Sequence, residues 1–453
     1  MKALTRIWMI GLVFVLVFSA VSCAPQPPAE EPAEQAPAEA TQPPAAPAEP
    51  EVNEATVRVL AMEQAGPTVE EMNAIVAEFN QANPNIKVEI EYVAYDALHD
   101  KIITAMAASV PAYDVFLVDD IWYAEFGEKG YVLDVTDRIT QEMRDKIFTS
   151  AWDITTVNGV VYGMPWLLDE KYFFYNEKLL KDAGFDAPPK TWEELVDQAK
   201  VIKEKGIAEY PIIWSWAQAE AAICDWTTLL YGNGGMMMDD AGKVAFNNEQ
   251  GVATLAWMLQ TIDDGVTNPA STSYLEEDVR NVFSQGKAVF ALNWVYMYDL
   301  VNFNTEQSQV TDQIKMALIP VFQGNEAASS SINGSMGFSV AAKSAYPDAA
   351  WAYVQYLTSE DVQNRYSAHL LPMWQTSYEG ESLDKLMGYT PANATTVPMF
   401  NEQFPFAHVR PKVPFYVEGS KALQLALQLA LTKQKSPADA LNEAAAKWDE
   451  LMK

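Results

Sequence analysis

Cysteine and histidine are nearly absent: two cysteines, Cys23 and Cys224, and three histidines, His99, His369 and His408, in 453 residues. So few cysteines exclude a disulfide framework. The histidines are far apart and show no ligand spacing such as HExxH, so no metal site and no cofactor are expected. Positive charge is also short, with 30 Lys and Arg against 61 Asp and Glu and a formal net charge of −31. That excess of acid argues against nucleic acid and against electrostatic adhesion to anionic lipid, and it describes solubility rather than fold. A long apolar run occurs at the N-terminus, from Ile7 to Phe18. It is short for a bilayer span, which needs about 20 apolar residues. Lys2 and Arg6 precede it and small residues follow, the layout of a secretory signal peptide over residues 1–22. Its removal would take Lys2 and Arg6 with it and leave −33. The body of the chain is therefore expected outside the cytoplasm.

Ala20-Val21-Ser22-Cys23 resembles a lipobox, with alanine where leucine is usual. The resemblance implies acylation of Cys23 and attachment to the outer face of the membrane, or a periplasmic location. Two chains of a diacylglyceryl group would hold the protein stably, whereas one is marginal. Cys224 is then left without a partner and reads as a small packed side chain between Ile223 and Asp225. Residues 23–55 are dominated by Pro, Ala, Glu and Gln, with no aromatic and no positive charge. Such a segment cannot bury enough apolar area to offset its chain entropy, so a disordered tether is expected.

The whole chain is 49% hydrophobic and 20% charged, enough for a full core and two or three domains. Thr56 to Leu60 alternates as a strand, and Thr68 to Asn80 carries Met72, Ile75, Val76 and Phe79 on one helical stripe. Asn83-Pro84-Asn85 breaks that helix, Ile86 to Tyr92 alternates again, and a helix around Leu98 to Ala108 leads to the apolar run Tyr113 to Val118. This β-α-β-α-β order predicts a doubly wound α/β lobe, in which ligands sit beyond the carboxyl ends of the strands. Those ends carry Met62-Glu63-Gln64 and Asp119-Asp120-Ile121-Trp122.

The chain is organised around Val160 to Leu195, VVYGMPWLLDEKYFFYNEKLLKDAGFDAPPKTWEEL. An apolar run with Gly163 and Pro165 leads to Asp169, a strand-like KYFFYN, a helix with Leu179, Leu180 and Ala183, and a proline loop. Thr191 followed three residues later by Glu194 then marks a helix start. The block resembles the interdomain crossing of the extracellular solute-binding proteins of family 1, the sugar-binding subunits of ABC importers. There a "GxP" segment leaves the first lobe and "YN(K/E)xLxxxAG…PPxTWxEL" opens the second. FNQANPNIKVE and DVFLVD, and later DWTTLLYGNGG, QGKAVFALNWV, the run Ile332 to Thr358 and RPKVPFY, extend the resemblance over both lobes.

The resemblance implies a two-lobed, type II periplasmic-binding-protein-like fold, with doubly wound lobes joined by a hinge and the ligand cleft between them. The expected boundaries are 56–165 plus 312–369 for the N-terminal lobe and 166–311 plus 370–453 for the C-terminal lobe. It implies a monomeric receptor, not an enzyme, that captures a carbohydrate, expected to be an oligosaccharide, and delivers it to the membrane subunits of an ABC permease. Flat aromatics would cover sugar faces and carboxylates would bind the hydroxyl edges. The residues expected in the cleft are Glu63, Asp119, Asp120, Trp122, Asp169, Trp226, Trp294 and Tyr416. Trp192, Trp257, Trp351 and Trp448 read as core; Trp214, Trp216 and Trp374 stay undecided. Asp119 and Asp169 invite a glycosidase reading, but they would come from different lobes, whereas a general acid and its partner need a fixed separation. A surface glycan adhesin without a permease, and a receptor for a peptide or polyamine, remain open alternatives.

Overall fold

A computed structural model of the chain describes residues 54–63, 66–110 and 112–453. The expected signal peptide, the lipidation site Cys23, the tether up to residue 53 and Gln64 lie outside the described residues. Two sheets dominate. The first holds β1 (Ala55–Met62), β2 (Ile86–Val93), β3 (Val115–Asp119) and β4 (Met164–Leu167); the second holds β5 (Tyr172–Asn176), β6 (Ile212–Ile213), β7 (Phe290–Asn293) and β8 (Ile314–Ala317). A last strand, β9 (Met336–Val340), returns to the first sheet. The strand orders are β2-β1-β3-β9-β4 and β8-β5-β7-β6.

The first lobe begins as the alternation predicts. In β1 the inward Val57 and Val59 are buried while Arg58 between them is exposed, and β3 is buried along its whole length. Helix α1 (Val69–Ala82) buries Met72, Ile75 and Phe79. It starts on a reciprocal cap, in which Thr68 Oγ1 accepts the Glu71 N–H at 3.3 Å and Glu71 Oε2 accepts the Thr68 N–H at 2.8 Å. With α2 (Tyr95–Ala107), the parallel pairs β1/β2 and β1/β3 complete the predicted β-α-β-α-β start of the first lobe. At the second predicted cap, Thr191 accepts the Glu194 N–H, but Glu194 turns back to the Lys190 N–H, one residue earlier than a capping box requires.

Backbone pairing runs past three of the expected boundaries. Ala55, assigned to the tether, already pairs with Ile86. Met164–Leu167 pairs with β9, so pairing within the first sheet continues past residue 165 to Leu167. Ile314–Ala317 pairs antiparallel with β5, so the return to the first lobe, expected at 312, comes only after that strand. The crossings run side by side. Lys171 N–H donates to the Ile332 carbonyl, Gly334 N–H to that of Asp169, and Ser331–Ile332 pairs in parallel with Ala407–His408. Gly163 is needed here, because a Cβ would overlap the Phe338 carbonyl oxygen of β9.

The second lobe adds α3 (Glu220–Gly232), α4 (Glu276–Ser284) and α5 (Tyr296–Asn302), and the C-terminal α6 (Tyr416–Leu431) packs on α3.

Candidate ligand-binding cleft

A cavity of about 430 Å³ lies between the lobes, within the range of roughly 300–1,000 Å³ usual for small-molecule sites. The first lobe reaches it with the carboxyl ends of β1, β2 and β3 (Met62 and Glu63, Val93, Asp119) and with Tyr95 and Asp96 at the start of α2. The second lobe contributes Ala219 and Glu220 at the start of α3, Glu276 and Glu277 at the start of α4, and Trp294 and Tyr296 just beyond β7. Asp169, Gly334, His369 and Arg410 reach it from the crossing strands and their surroundings. Three helices thus begin at the cleft with an acid in the first turn, where the helix dipole favours negative charge.

Arg410 joins the two lobes at this point. Its Nη2 donates to Asp119 Oδ1 at 2.7 Å and Asp120 Oδ1 at 2.8 Å, and its Nη1 donates to Glu220 Oε1 at 3.0 Å. All four side chains are buried. Burial raises the affinity of Asp120 and Glu220 for a proton, and the guanidinium opposes this. Tyr95 donates to Asp119 Oδ2 at 2.6 Å, and Tyr416 and Ser420 donate to Glu220 at 2.7 and 2.5 Å. Asp119 is therefore held from two sides at the mouth of β3.

Trp294 stands on a second buried cation. The Lys171 ammonium is fully buried, 4.5 Å from the indole centroid, 3.1 Å from Asp225 Oδ1 and 3.5 Å from Glu276 Oε1. Burial works against that charge, but Asp225 and Glu276 outweigh it and hold the proton more tightly than usual. The indole N–H donates to Glu276 Oε1 at 3.2 Å, which fixes the plane of the ring. Asp169 sits beside it, accepting the Val295 N–H at 3.3 Å. Burial pushes its carboxyl up to about 8, against the Val295 and Glu170 N–H groups and Lys171, so at neutral pH it can donate to a ligand oxygen. Gly334 closes the frame, because a Cβ there would overlap the six-membered ring of Trp294. Gly334→Ala is therefore expected to turn the indole and weaken ligand binding about tenfold, since overpacking costs roughly 1–3 kcal/mol. Tryptophan fluorescence would report the displaced ring, and calorimetric titration the affinity.

His369 bridges the lobes on another side, with Nδ1 3.2 Å from Glu71 Oε2 of α1 and Nε2 3.4 Å from Asp299 Oδ2 of α5. Burial disfavours the charged ring, but Asp299 and Glu71 outweigh it and raise His369 to about 9. The sign follows from linkage. Between pH 6.5 and 9 the folded chain keeps a proton that the unfolded chain has lost, so this contribution is complete below 6.5 and disappears as pH rises through 9. The wild type should lose up to about 3 kcal/mol across that window. His369→Gln should show a flatter dependence of melting temperature on pH over the same range.

Of the residues expected from sequence, Glu63, Asp119, Asp169 and Trp294 line the cavity together. Four others do not. Trp226 is fully buried within α3, edge-on to Phe246 at 6.1 Å, because that helix is buried on nearly every side. Asp120 is sealed beneath Arg410. Trp122 is buried against Tyr95, with rings 5.4 Å apart at 28°, and Tyr416 is buried with its hydroxyl on Glu220. Trp214 and Trp216 stack on each other inside the second lobe, and Trp374 is tied to the Thr358 carbonyl. Sequence reasoning missed Glu220, Glu276, His369 and Arg410 as cleft residues. Two signals were available: Lys171 immediately before the apolar strand β5, and Arg410 at the head of RPKVPFY.

Residues 65–364 match the family model of the bacterial extracellular solute-binding proteins. A probable ABC transporter-binding protein of Deinococcus radiodurans is 29% identical over 372 residues, 79% of this chain and 83% of that protein. Among solved structures, maltose-bound MalE3 of T. maritima is similar with a TM-score of 0.80 and 30% identity, covering 88% of this chain and 100% of that one. An ABC transporter solute-binding protein of Thermotoga lettingae bound with alpha-D-tagatose gives 0.78 and 25%, again over 88% and 100%.

Proposed function

The chain belongs to the bacterial extracellular solute-binding proteins, and from that premise we propose that it captures a carbohydrate in the interlobe cleft and delivers it to an ABC permease. Proteins of this family bind solutes and are not enzymes, and they work outside the cytoplasm. The observation that carries the carbohydrate reading is Trp294, a fixed indole on the cavity wall with Asp169, Glu276 and Asp119 around the same space. Indoles cover the C–H faces of sugar rings, and carboxyl groups bind their paired hydroxyls. The sugar-bound T. maritima and T. lettingae proteins support the same reading.

In this reading Glu63, Asp119, Asp169 and Trp294 contact the ligand. Contacts from the ends of β1 and β3 and from the end of β7 coincide only when the lobes are together, so ligand draws the population toward the closed form by its differential affinity. The crossings at 168–171, 331–335 and 407–410 would be the hinge, with the lobes bounded where the sheets end. Signal cleavage, acylation of Cys23 and a monomeric body on a tether complete the proposal, which includes no catalytic step.

Acid is abundant at the cleft, which keeps a cationic ligand such as a polyamine as a competing reading. Much of it is already matched: Glu220 by Arg410, Glu276 by Lys171, and Glu277 by Arg280 at 2.7 Å. A thermal-shift screen with glucose, mannose, tagatose, mannitol, maltose, maltotriose, an amino-acid mixture and spermidine tests the choice, because a ligand specific to the native state raises its melting temperature. A sugar or polyol is expected to produce the shift. If spermidine or an amino acid does so and no sugar does, the substrate reading fails.

A further inference from the structure

Every strand of the first sheet brings one end residue to the cavity. In sheet order these are Val93 of β2, Met62 of β1, Asp119 of β3, Met336 of β9 and Leu167 of β4. Backbone register sets them in a row, with Met62 opposite Val93 and Met336 opposite both Asp119 and Leu167. Side chains directly opposite on neighbouring strands share a face of the sheet. The row is therefore a floor with four apolar members and a single acid. That acid is already engaged, its Oδ1 accepting from Arg410 at 2.7 Å and from the Ile121 N–H at 3.4 Å, and its Oδ2 from Tyr95 at 2.6 Å. The other first-lobe acids of the cavity, Glu63 and Asp96, are exposed and follow the strand ends. The share of the wall that the second lobe supplies holds the Trp294 indole with Glu276 and Glu277.

We propose that the ligand presents an apolar side to this floor. It is then a saccharide that carries a C-methyl or O-alkyl group where a common sugar has a free hydroxyl, as a deoxy sugar or an alkyl glycoside does. The proposal rests on the carbohydrate reading of the cleft and narrows its substrate class. A hydroxyl set on the floor would leave water and find only one carboxylate, itself engaged, and a buried hydroxyl without a partner is costly. A methyl group in the same place removes apolar area from water on both partners. Met62 and Met336 stand on either side of Asp119 in the row. Unbranched thioethers adapt to groups of different shape, so the floor can take a methyl group or a short chain. The indole and the carboxylates of the second lobe are left for the ring face and for the hydroxyls of the opposite edge. A common hexose, with hydroxyls around its whole rim, leaves one edge of itself unmatched in such a site.

The test is calorimetric titration of the full chain with matched ligands. One arm sets D-glucose against D-quinovose, D-galactose against D-fucose and D-mannose against D-rhamnose, pairs that differ only in a methyl for a hydroxymethyl group. The other sets D-glucose against its methyl, propyl and pentyl glycosides. In at least one arm the apolar ligand is expected to bind about tenfold more tightly than its parent, or to gain about fourfold per methylene. Its heat-capacity change should be the more negative of the two. The arm that responds identifies the group. Met62→Gln and Met336→Gln place an amide in the floor and should each reduce that preference to under about threefold; Met62 is half-buried at a strand end, so its variant decides if the other does not fold. Parents that bind as tightly as their deoxy and alkyl partners overturn the apolar floor and leave the carbohydrate reading intact, and so does a preference that the variants retain in full. Failure of every saccharide, parent or apolar, to bind overturns both.

Discussion

Trp294→Ala is expected to raise the dissociation constant for the saccharide about 30- to 100-fold, with the protein still folded. The estimate follows from the place of the ring. A buried aromatic anchor at the centre of a binding site commonly carries 2 kcal/mol or more, and each 1.4 kcal/mol is a factor of ten. Trp294 borders the cavity, its N–H is spent on Glu276 and its plane is set by Lys171 and Gly334, so little rotameric freedom is left to lose on binding. Trp294→Phe separates the two parts of this contribution. It keeps a flat face but gives up the hydrogen bond to Glu276, so it should fall between wild type and alanine. The ring is only partly buried, so the melting temperature without ligand should move little compared with a core tryptophan such as Trp192. If calorimetry finds the alanine variant binding within threefold of wild type, stacking on Trp294 is not what holds the ligand.

Trp294 was legible because strand β7 is short, apolar and followed at once by an aromatic, so the ring had to emerge at the carboxyl end of the strand. The same logic located Asp119 after β3 and Asp169 after the crossing. It failed for Trp226, where DWTTLLYG looked like a segment leading into a turn. That stretch belongs to a helix buried almost all round, which has no polar face from which an exposed side could be read. Trp122 and Asp120 lie off the wall of the main cavity for a different reason. They follow Asp119 directly, but the chain curls into a short 3₁₀ turn there, which takes them away from the cavity. The interlobe cations were beyond reach for a physical reason. Arg410 meets Glu220 across 190 residues and Asp119 across 291, and His369 meets Glu71 across 298. No local spacing encodes such partners; only the tertiary path of the two crossings brings them together. The sheet that Ile314–Ala317 joins was out of reach for a related reason, since β8 is the edge of the second sheet and nothing local in IKMA says which sheet it pairs with.

Arg410→Met should be the most destabilising single change in the cleft, costing about 3–5 kcal/mol in urea denaturation, because it strips the partner from buried acids. Asp119, Asp120 and Glu220 converge on one guanidinium, and none of the three is exposed enough for water to take its place. Methionine fills similar volume, so the loss reports charge more than packing. The dependence on pH distinguishes this from a simple packing defect. Burial already raises the proton affinity of Asp120 and Glu220 with the arginine present, and removing the cation must raise it further. The folded variant would then hold protons that the unfolded chain releases near pH 4, so its stability falls as pH rises above that point. The deficit relative to wild type should therefore be smaller at pH 5 than at pH 8. Arg410→Lys should rank between the two, since an ammonium is a point charge and cannot fork toward acids from both lobes. A deficit under 1 kcal/mol, or one that stays the same from pH 5 to 8, would show that the cluster is not balanced by this charge and that Asp119 is held in place by Tyr95 and the Ile121 N–H.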